Sequence, residues 1–442
     1  MKRTFAGGVH PLHRTGEGKP LSKDCPIEPY LADVAVIPVG MHLGAPSAPC
    51  VKKGDHVLAG QLIATPNGGL GLPVHASISG TVTAVEPRQQ LKGHPELCIE
   101  IASDGLDEWV ELTPKGTVES VTPEEIFDAI RSAGICGMGG AAFPTAVKLA
   151  VPEGKKADCV ILNGAECEPY LTCDHRVMLE EPERVVNGLR LLMKASSVAR
   201  GVIAVENNKP ACIEALRKAA DGIEGVEVVA LKTKYPQGGE KQLIEVITGR
   251  QVPQKKLPID AGAIVFNVET AAAVADAVLL GKPLVERVTT VTGAVNEPKN
   301  LRLRVGTRYC DAIARAGGYR GEPKKLVSGG PMTGFACGDD TVSVTKAGGG
   351  ILVYDEAMYL ADAEGPCIRC GKCVSVCPIR MHPYAVKFDV ERRDWDRAER
   401  DHAMDCIVCG ACSYICPANR HLTVACKIAK EMITAKNRRA AQ

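Results

Sequence analysis

The stretch that decides the architecture reads Cys367-Ile-Arg-Cys370-Gly-Lys-Cys373-Val-Ser-Val-Cys377-Pro378, followed by Cys406-Ile-Val-Cys409-Gly-Ala-Cys412-Ser-Tyr-Ile-Cys416-Pro417. Each half is C-x2-C-x2-C-x3-C-P, a spacing that ligates iron–sulfur clusters. Three closely spaced thiolates wrap one face of a cubane and a remote fourth closes it. Where two such runs occur together, the fourth ligand comes from the other run. The spacing therefore predicts Cys367, Cys370, Cys373 and Cys416 on one [4Fe–4S] cluster, with Cys406, Cys409, Cys412 and Cys377 on a second. Structural zinc sites rarely crowd four cysteines so closely, end in Cys-Pro and then repeat.

At 442 residues the chain has material for roughly three or four domains. A net charge of +1 gives no bias toward nucleic acid. Aromatic residues are 4% of the chain while glycines number 45 and prolines 29, which points to short elements and many tight turns. Eight of the 19 cysteines belong to the two runs, and the others show no pairing pattern. Free thiols beside oxygen-sensitive clusters imply a reducing compartment. Met1–His10 lacks the apolar core of a signal peptide. The apolar segment from Gly262 to Leu280 is broken by Asn267, Glu269 and Asp276, so it reads as a strand and a buried helix. The expectation is a soluble chain, at most peripheral on a membrane.

Residues 1–30 read as an extended arm containing Phe5-Ala-Gly-Gly-Val-His-Pro11. Residues 31–112 read as a small β-sandwich, with short β-branched runs split by Gly and Pro. Two of its stretches, Val51–Ala64 and Ala76–Val85, resemble the barrel-sandwich hybrid of biotinyl and lipoyl domains. No lysine lies between Lys53 and Lys92, so a scaffold without a prosthetic arm is expected. Residues 113–286 alternate helix and strand, opening on the capping box Thr122-Pro-Glu-Glu125, and predict an α/β domain on a parallel or mixed sheet. Residues 287–355 return to β, with Val288-Thr-Thr-Val-Thr, Leu301-Arg-Leu-Arg-Val and Thr341-Val-Ser-Val-Thr around a helix near 308–316, the look of a β-grasp module. Residues 356–442 read as short helices around the cysteine loops, ending in the basic amphipathic stretch Lys427–Arg439. A solvated face is the plain reading of that stretch; contact with a partner or an anionic membrane surface is the alternative.

Four polar loops stand at strand–helix junctions of the α/β part. They are Gly137-Met-Gly-Gly-Ala-Ala-Phe-Pro-Thr145, Asn163-Gly-Ala-Glu-Cys-Glu168, Lys234-Tyr-Pro-Gln-Gly-Gly-Glu-Lys241 and Asn267-Val-Glu-Thr270. Singly, a glycine-rich loop can be a turn, and Glu166 and Glu168 can be solvated charges. Together, glycines that admit close backbone approach and helix starts with free N–H groups suit one anionic cofactor. The histidines His10, His56, His75 and His175 lack partners at ligand spacing, and Cys167, Cys173 and Cys426 read as packing residues.

These loops resemble the flavin-binding loops of the NADH-oxidising subunit of respiratory complex I. They resemble more closely the C subunits of Rnf electron-transport complexes, which share the Phe-x-Gly-Gly-Val-His-Pro arm. The resemblance implies a multidomain α/β protein: barrel-sandwich hybrid, Rossmann-like FMN/NADH domain, β-grasp (SLBB-like) module and α-helical two-[4Fe–4S] ferredoxin-like domain. It implies FMN contacts from Gly137, Gly139, Lys148, Asn163, Glu166, Tyr235, Gly239, Glu240, Asn267 and Thr270, and NAD(H) contacts from Phe143 and Glu168. Three positions depart from the pattern: Met138 stands where complex I has arginine, Ala142 where glycine is usual, and Cys136 where a bulkier or charged residue is common. No catalytic acid or base is expected, since hydride transfer depends on stacking and the cofactors carry the chemistry.

The implied role is the peripheral NAD(H)-handling subunit on the cytoplasmic side of the inner membrane. It would dock on the membrane and iron–sulfur subunits of a complex that exchanges electrons with ferredoxin and moves Na+ or H+. Two rivals are a cobalamin reductase with similar flavin and cluster parts, and an electron-transfer scaffold whose flavin site has decayed.

Overall fold

A computed structural model describes residues 3–11, 18–91, 93–359 and 363–440. Its central layer is a four-stranded parallel sheet in the order Val226–Leu231, Gly201–Glu206, Cys159–Gly164, Ala263–Asn267. Helices cover both faces, so the inner strands are almost uninterrupted apolar runs such as Gly201-Val-Ile-Ala-Val. The chain winds outward from Cys159–Gly164 and then returns to add Ala263–Asn267 on the other side. Where winding reverses, loops leave the strand ends in opposite directions and open a crevice. Asn163 and Asn267 are register partners at that point.

The expected capping box starts helix Pro123–Ser132: the Glu125 N–H donates to the Thr122 hydroxyl at 3.2 Å, and the Thr122 N–H to the Glu125 carboxylate at 2.8 Å. Ile126, Ala129 and Ile130 form its buried face. A helix at Cys173–Glu180 follows the acidic loop, in a stretch to which the sequence reading gives no element.

The barrel-sandwich part closes two small sheets over Ile37, Val57, Ile63, Ile78, Val82, Ile99 and Ile101. Beyond the α/β part lies a six-stranded sheet ordered Ile27–Tyr30, Lys299–Arg304, Glu286–Gly293, Gly350–Tyr354, Lys325–Ser328, Phe335–Ala336, with helix Tyr309–Arg315. Two expectations change here. Ile27–Tyr30, assigned to the arm, is an edge strand parallel to Lys299–Arg304, a position where Pro29 is tolerated. Thr341–Thr345 is not a strand despite its alternation. Val342 and Val344 are buried in the core beside Tyr309, and Ser343 makes only an isolated bridge to Arg308.

The arm threads between two units. Phe5 is buried in the core beneath the parallel sheet, the Gly8 N–H donates to the Val376 carbonyl at 2.7 Å, and the Val9 N–H donates to the Tyr235 carbonyl at 2.8 Å. Gly7 and Gly8 are both left-handed; a Cβ would lie 2.8 Å from the Cys377 carbonyl oxygen at Gly7, and 2.6 Å from that of Tyr235 at Gly8. Only glycine passes there. The remaining residues form short helices around the cysteine loops and the long helix Leu422–Ala440, which turns Leu422, Ala425, Cys426, Ala429 and Ile433 inward. No helix among the described residues is long and apolar enough to cross a membrane.

Candidate flavin and iron–sulfur site

A cleft of about 630 Å³ opens at the crevice, within the range of cofactor sites. Gly139, Asn163, Glu166, Glu168, Tyr235, Gly239, Glu240 and Asn267 line it. Its other wall comes from Gly329–Gly330 and Gly348–Gly349 of the six-stranded unit, and its end from Ile407 and Cys409. The asparagines at the switch point tie the loops together. The Asn163 amide donates to the Gly238 carbonyl at 2.9 Å and that of Asn267 to Asp174 Oδ2 at 2.7 Å, while Asn267 Oδ1 caps helix Val268–Leu279 through the Glu269 N–H. The first glycine loop is held from below, with the Met138 N–H donating to the Thr270 hydroxyl at 2.9 Å. Met138 itself is buried in the apolar core. Lys148 pairs with Glu240 at 2.7 Å, beside Gly239 at the start of helix Glu240–Thr248.

The acidic loop depends on buried cations. Lys19 donates to the carbonyls of Glu166 at 2.8 Å, Glu168 at 3.0 Å and Leu171 at 2.5 Å. Lys209, also buried, donates to the Ala165 carbonyl at 2.7 Å. This cage holds Glu166 at a φ of 44, a strained value for a residue with a side chain. Glu166 Oε1 accepts the Asp174 N–H at 2.8 Å, while Oε2 is buried 3.7 Å from the Lys19 ammonium, an ion pair without a hydrogen bond. A carboxylate oxygen with hydrogen-bonding capacity to spare in the cleft lining fits a ligand bearing hydroxyl or N–H donors, as the ribityl chain and ring of FMN do. Gln242 Oε1, on the same cleft, is buried without a hydrogen-bond partner.

Asp174 lies in the cleft floor. Burial, reinforced by Glu166 and Glu269, pushes its carboxyl up to about 7, and Arg287 opposes the shift. Arg287 is itself neutralised by Glu269 at 2.6 Å. Glu168 spends its carboxylate on the Met332 and Thr333 N–H groups at 2.7 and 3.0 Å, clamping the six-stranded unit to the acidic loop.

Cys377, Cys406, Cys409 and Cys412 converge on one small cavity. The Met381 N–H donates to Cys377 Sγ and the Val408 N–H to Cys406 Sγ, each at 3.4 Å, the kind of bond that supports a thiolate. Cys426 beside Cys406, together with the Val408 N–H and Lys430, lowers the Cys406 thiol pKa against the opposing effect of burial. Thr423 Oγ1 lies 3.5 Å from Cys412 Sγ. Cys373 lies within electrostatic reach of Cys416 and Cys367, and Cys370 is exposed beside them in the sequence. No three such side chains among the described residues close to single-ion distances. A cubane does not ask for that, because each thiolate binds a different iron. The two sites meet at Tyr235, whose phenol donates to the Cys409 carbonyl at 2.5 Å while the residue lines the cleft.

Four family models match in chain order: an RnfC barrel sandwich hybrid domain over residues 3–106, a Nuo51 FMN-binding domain over 130–276, an SLBB domain over 288–336 and a 4Fe-4S dicluster domain over 359–417. The chain is 46% identical over 438 residues to the C subunit of the Na(+)-translocating ferredoxin:NAD(+) oxidoreductase complex of Acetobacterium woodii, covering 99% of this chain and 98% of that one. This chain belongs to the RnfC family. It is also 46% identical over 390 residues to the C subunit of the proton-translocating ferredoxin:NAD(+) oxidoreductase complex of Clostridium ljungdahlii, with 87% of this chain and 83% of that one covered. A solved NAD+-reducing [NiFe]-hydrogenase in the H2-reduced state shares the fold, with a TM-score of 0.50 at 20% identity over 73% of this chain and 63% of that chain. As an RnfC protein it is an electron-transfer subunit with FMN and [4Fe–4S] clusters as cofactors and other Rnf subunits as partners.

Measured against the residues expected for such a subunit, the cleft gathers Gly139, Asn163, Glu166, Glu168, Tyr235, Gly239, Glu240 and Asn267 on its surface. Thr270 and Lys148 stand behind them, holding Met138 and Glu240. Gly137 and Phe143 pair with each other, the Gly137 N–H donating to the Phe143 carbonyl at 2.8 Å, and neither lines the cleft. Sequence reasoning missed Lys19, Asp174 and Arg287, whose roles depend on distant contacts. It also passed over Gly329-Gly330 and Gly348-Gly349-Gly350, whose paired glycines were a signal of the same kind as the loops it chose.

Proposed function

We propose that this RnfC protein exchanges hydride between a nicotinamide dinucleotide and FMN held in the cleft, and passes electrons singly to two [4Fe–4S] clusters on the predicted cysteines. The reading places it on the cytoplasmic side of the membrane, on the subunits of an ion-translocating ferredoxin:NAD oxidoreductase. When bound, the flavin supplies the conversion between a two-electron hydride and one-electron steps. The chain's own residues orient it. Lys19 and Lys209 hold the acidic loop, Lys19 also pairing with Glu166 Oε2, which keeps hydrogen-bonding capacity for a donor on the ligand, and Asn163 and Asn267 fix the crevice.

One observation carries the reading: the flavin-type loops and the Cys406–Cys412 loop share a single cleft, joined through the Tyr235 phenol and the Cys409 carbonyl. The cluster on Cys377, Cys406, Cys409 and Cys412 is accordingly the one next to the flavin, and that on Cys367, Cys370, Cys373 and Cys416 the outer one. Met138 gives the decayed-site alternative no support, because its side chain is buried in the core. The test is anaerobic purification with iron, sulfide and flavin analysis, followed by titration with NADH. About eight irons and one FMN per chain, with NADH bleaching the flavin band before the iron–sulfur absorption, is the expected result. A flavin that NADH cannot bleach would overturn the hydride step.

A further inference from the structure

The cleft is lined unevenly. The side formed by the switch-point loops is polar, with Asn163, Glu166, Asp174 and Asn267 held in place by hydrogen bonds. The facing wall, from the six-stranded unit, is largely glycine. The large apolar side chain on that wall is Phe335, 46% exposed on the edge strand Phe335–Ala336. A single exposed phenylalanine on a protein surface needs no explanation. One that lines a cofactor-sized cleft beside a bare backbone wall does, because a flat ligand can lie against that wall and meet the ring.

The ring is also held. Phe335 is the register partner of Ser328, and the Ser328 hydroxyl is tied to the Tyr309 phenol at 2.8 Å in the core. The turn from Ser328 to Phe335 is kept tight by its glycines: a Cβ at Gly334 would lie 2.3 Å from the Gly330 carbonyl oxygen, and one at Gly330 would lie 2.4 Å from Glu168 Cγ. The same turn receives the Glu168 clamp on Met332 and Thr333. Phe335 is thus fixed relative to the acidic loop, as a preorganised ligand contact must be.

Two aromatic residues stand among the described lining. Tyr235 is buried with its phenol spent on the Cys409 carbonyl, so Phe335 is the one with a ring face to offer. Phe143, expected from the sequence to stack on the nicotinamide dinucleotide, does not line the cleft. The lining cations divide in the same way. Arg287 is neutralised by Glu269, whereas Lys241, in the first turn of helix Glu240–Thr248, has no ion-pair partner among the described residues. Unspent positive charge at a helix start suits a phosphate.

We infer that Phe335 is the stacking platform for the adenine of the nicotinamide dinucleotide, with Lys241 meeting its pyrophosphate. The inference rests on the proposed hydride exchange, which assigns the nicotinamide to the flavin and leaves the second base to the glycine wall. A phenyl ring carries no donor or acceptor, so it takes the flat face of the purine and reads none of its edge.

The experiment uses the full chain with FMN and both clusters. ADP-ribose, which carries the adenine and pyrophosphate but no nicotinamide, is titrated by calorimetry. F335A should bind it at least about fivefold more weakly than wild type, the loss of one stacked base, and F335Y should bind as wild type does. K241A should weaken ADP-ribose while leaving adenosine as it binds to wild type. Anaerobic bleaching of the flavin then compares NADH with reduced nicotinamide mononucleotide, which lacks the adenylate. The advantage of NADH over the mononucleotide, read in KM, should shrink in F335A by the same factor. Iron and FMN content should match wild type in every variant. Wild type failing to bind ADP-ribose, F335A binding it as tightly as wild type, or an NADH advantage equal in the two proteins overturns the platform. Phe335-dependent binding of ADP-ribose to a wild-type protein whose flavin NADH cannot bleach upholds the platform and overturns the hydride reading instead.

Discussion

Asp174→Asn removes a charge from the floor of the cleft while leaving an oxygen to accept the Asn267 amide. The groups facing Asp174 are Glu166 on the acidic loop, Glu269 on helix Val268–Leu279 and Arg287 on strand Glu286–Gly293. Burial and the two carboxylates raise its pKa from 3.8 to about 7, against the pull of Arg287. The sign is opposite to that of a salt-bridged acid. The folded state holds the proton more tightly than the unfolded state, so wild-type stability is lost as pH rises through the interval between the two values. At about 1.4 kcal/mol per pH unit, that penalty grows by about 3 kcal/mol from about pH 5 to about pH 8 and then levels off. Asn does not titrate, so D174N should gain on wild type by that amount over the same interval. Urea unfolding of both proteins at a series of pH values measures the difference. An infrared band of a protonated carboxylic acid, present in wild type near pH 6 and missing from D174N, identifies the group. Stability curves that run parallel across this interval would refute the reasoning.

Lys19→Met keeps the apolar stem but strips three carbonyls of the acidic loop of their donor and the buried Glu166 carboxylate of its counter-charge, at a cost of about 3–5 kcal/mol. Urea midpoints and flavin retained through gel filtration should both fall, and a wild-type midpoint would count against the cage. Ala142→Gly relieves a φ of 52; after the extra chain entropy of glycine the net gain should be about 0.5–1 kcal/mol, seen as a higher unfolding midpoint. A lower midpoint would show that the turn is not strained there. Thr423→Val removes the hydroxyl beside Cys412 Sγ and should lower the midpoint potential of the inner cluster in an EPR redox titration, with iron content retained. An unchanged potential would mean the hydroxyl is spent on Ser413, 2.9 Å away.

The parallel sheet could be read from the chain because strands buried on both faces must be apolar runs. The inner strands Cys159–Gly164 and Gly201–Glu206 stand where those runs predict them. The Thr122 capping box was equally plain, being a local hydrogen-bond pattern. Ile27–Tyr30 was not, because its partner strand begins at Lys299 and nothing local marks the pairing. Helix Cys173–Glu180 hid in a polar sequence whose inward residues include the charged Asp174. The glycine loops declared themselves through backbone freedom, which is a property of residue type. Lys19 declared nothing: its role comes from the oxygens that surround it after folding, and a lysine in an arm usually stays in water.

The arm has a consequence for how the protein is made. Gly8 rests between Tyr235 and Val376, so its binding groove does not exist until the first cysteine run has left the ribosome. At bacterial elongation rates the arm waits on the order of tens of seconds for its seat. Once that run has emerged, and until the arm docks, the edge of the Cys377 loop that Gly7 covers stays open, and iron and sulfide can reach the inner cysteines from that side. Docking of the arm then closes the entrance, so that the earliest-made residues of this region are the last to settle.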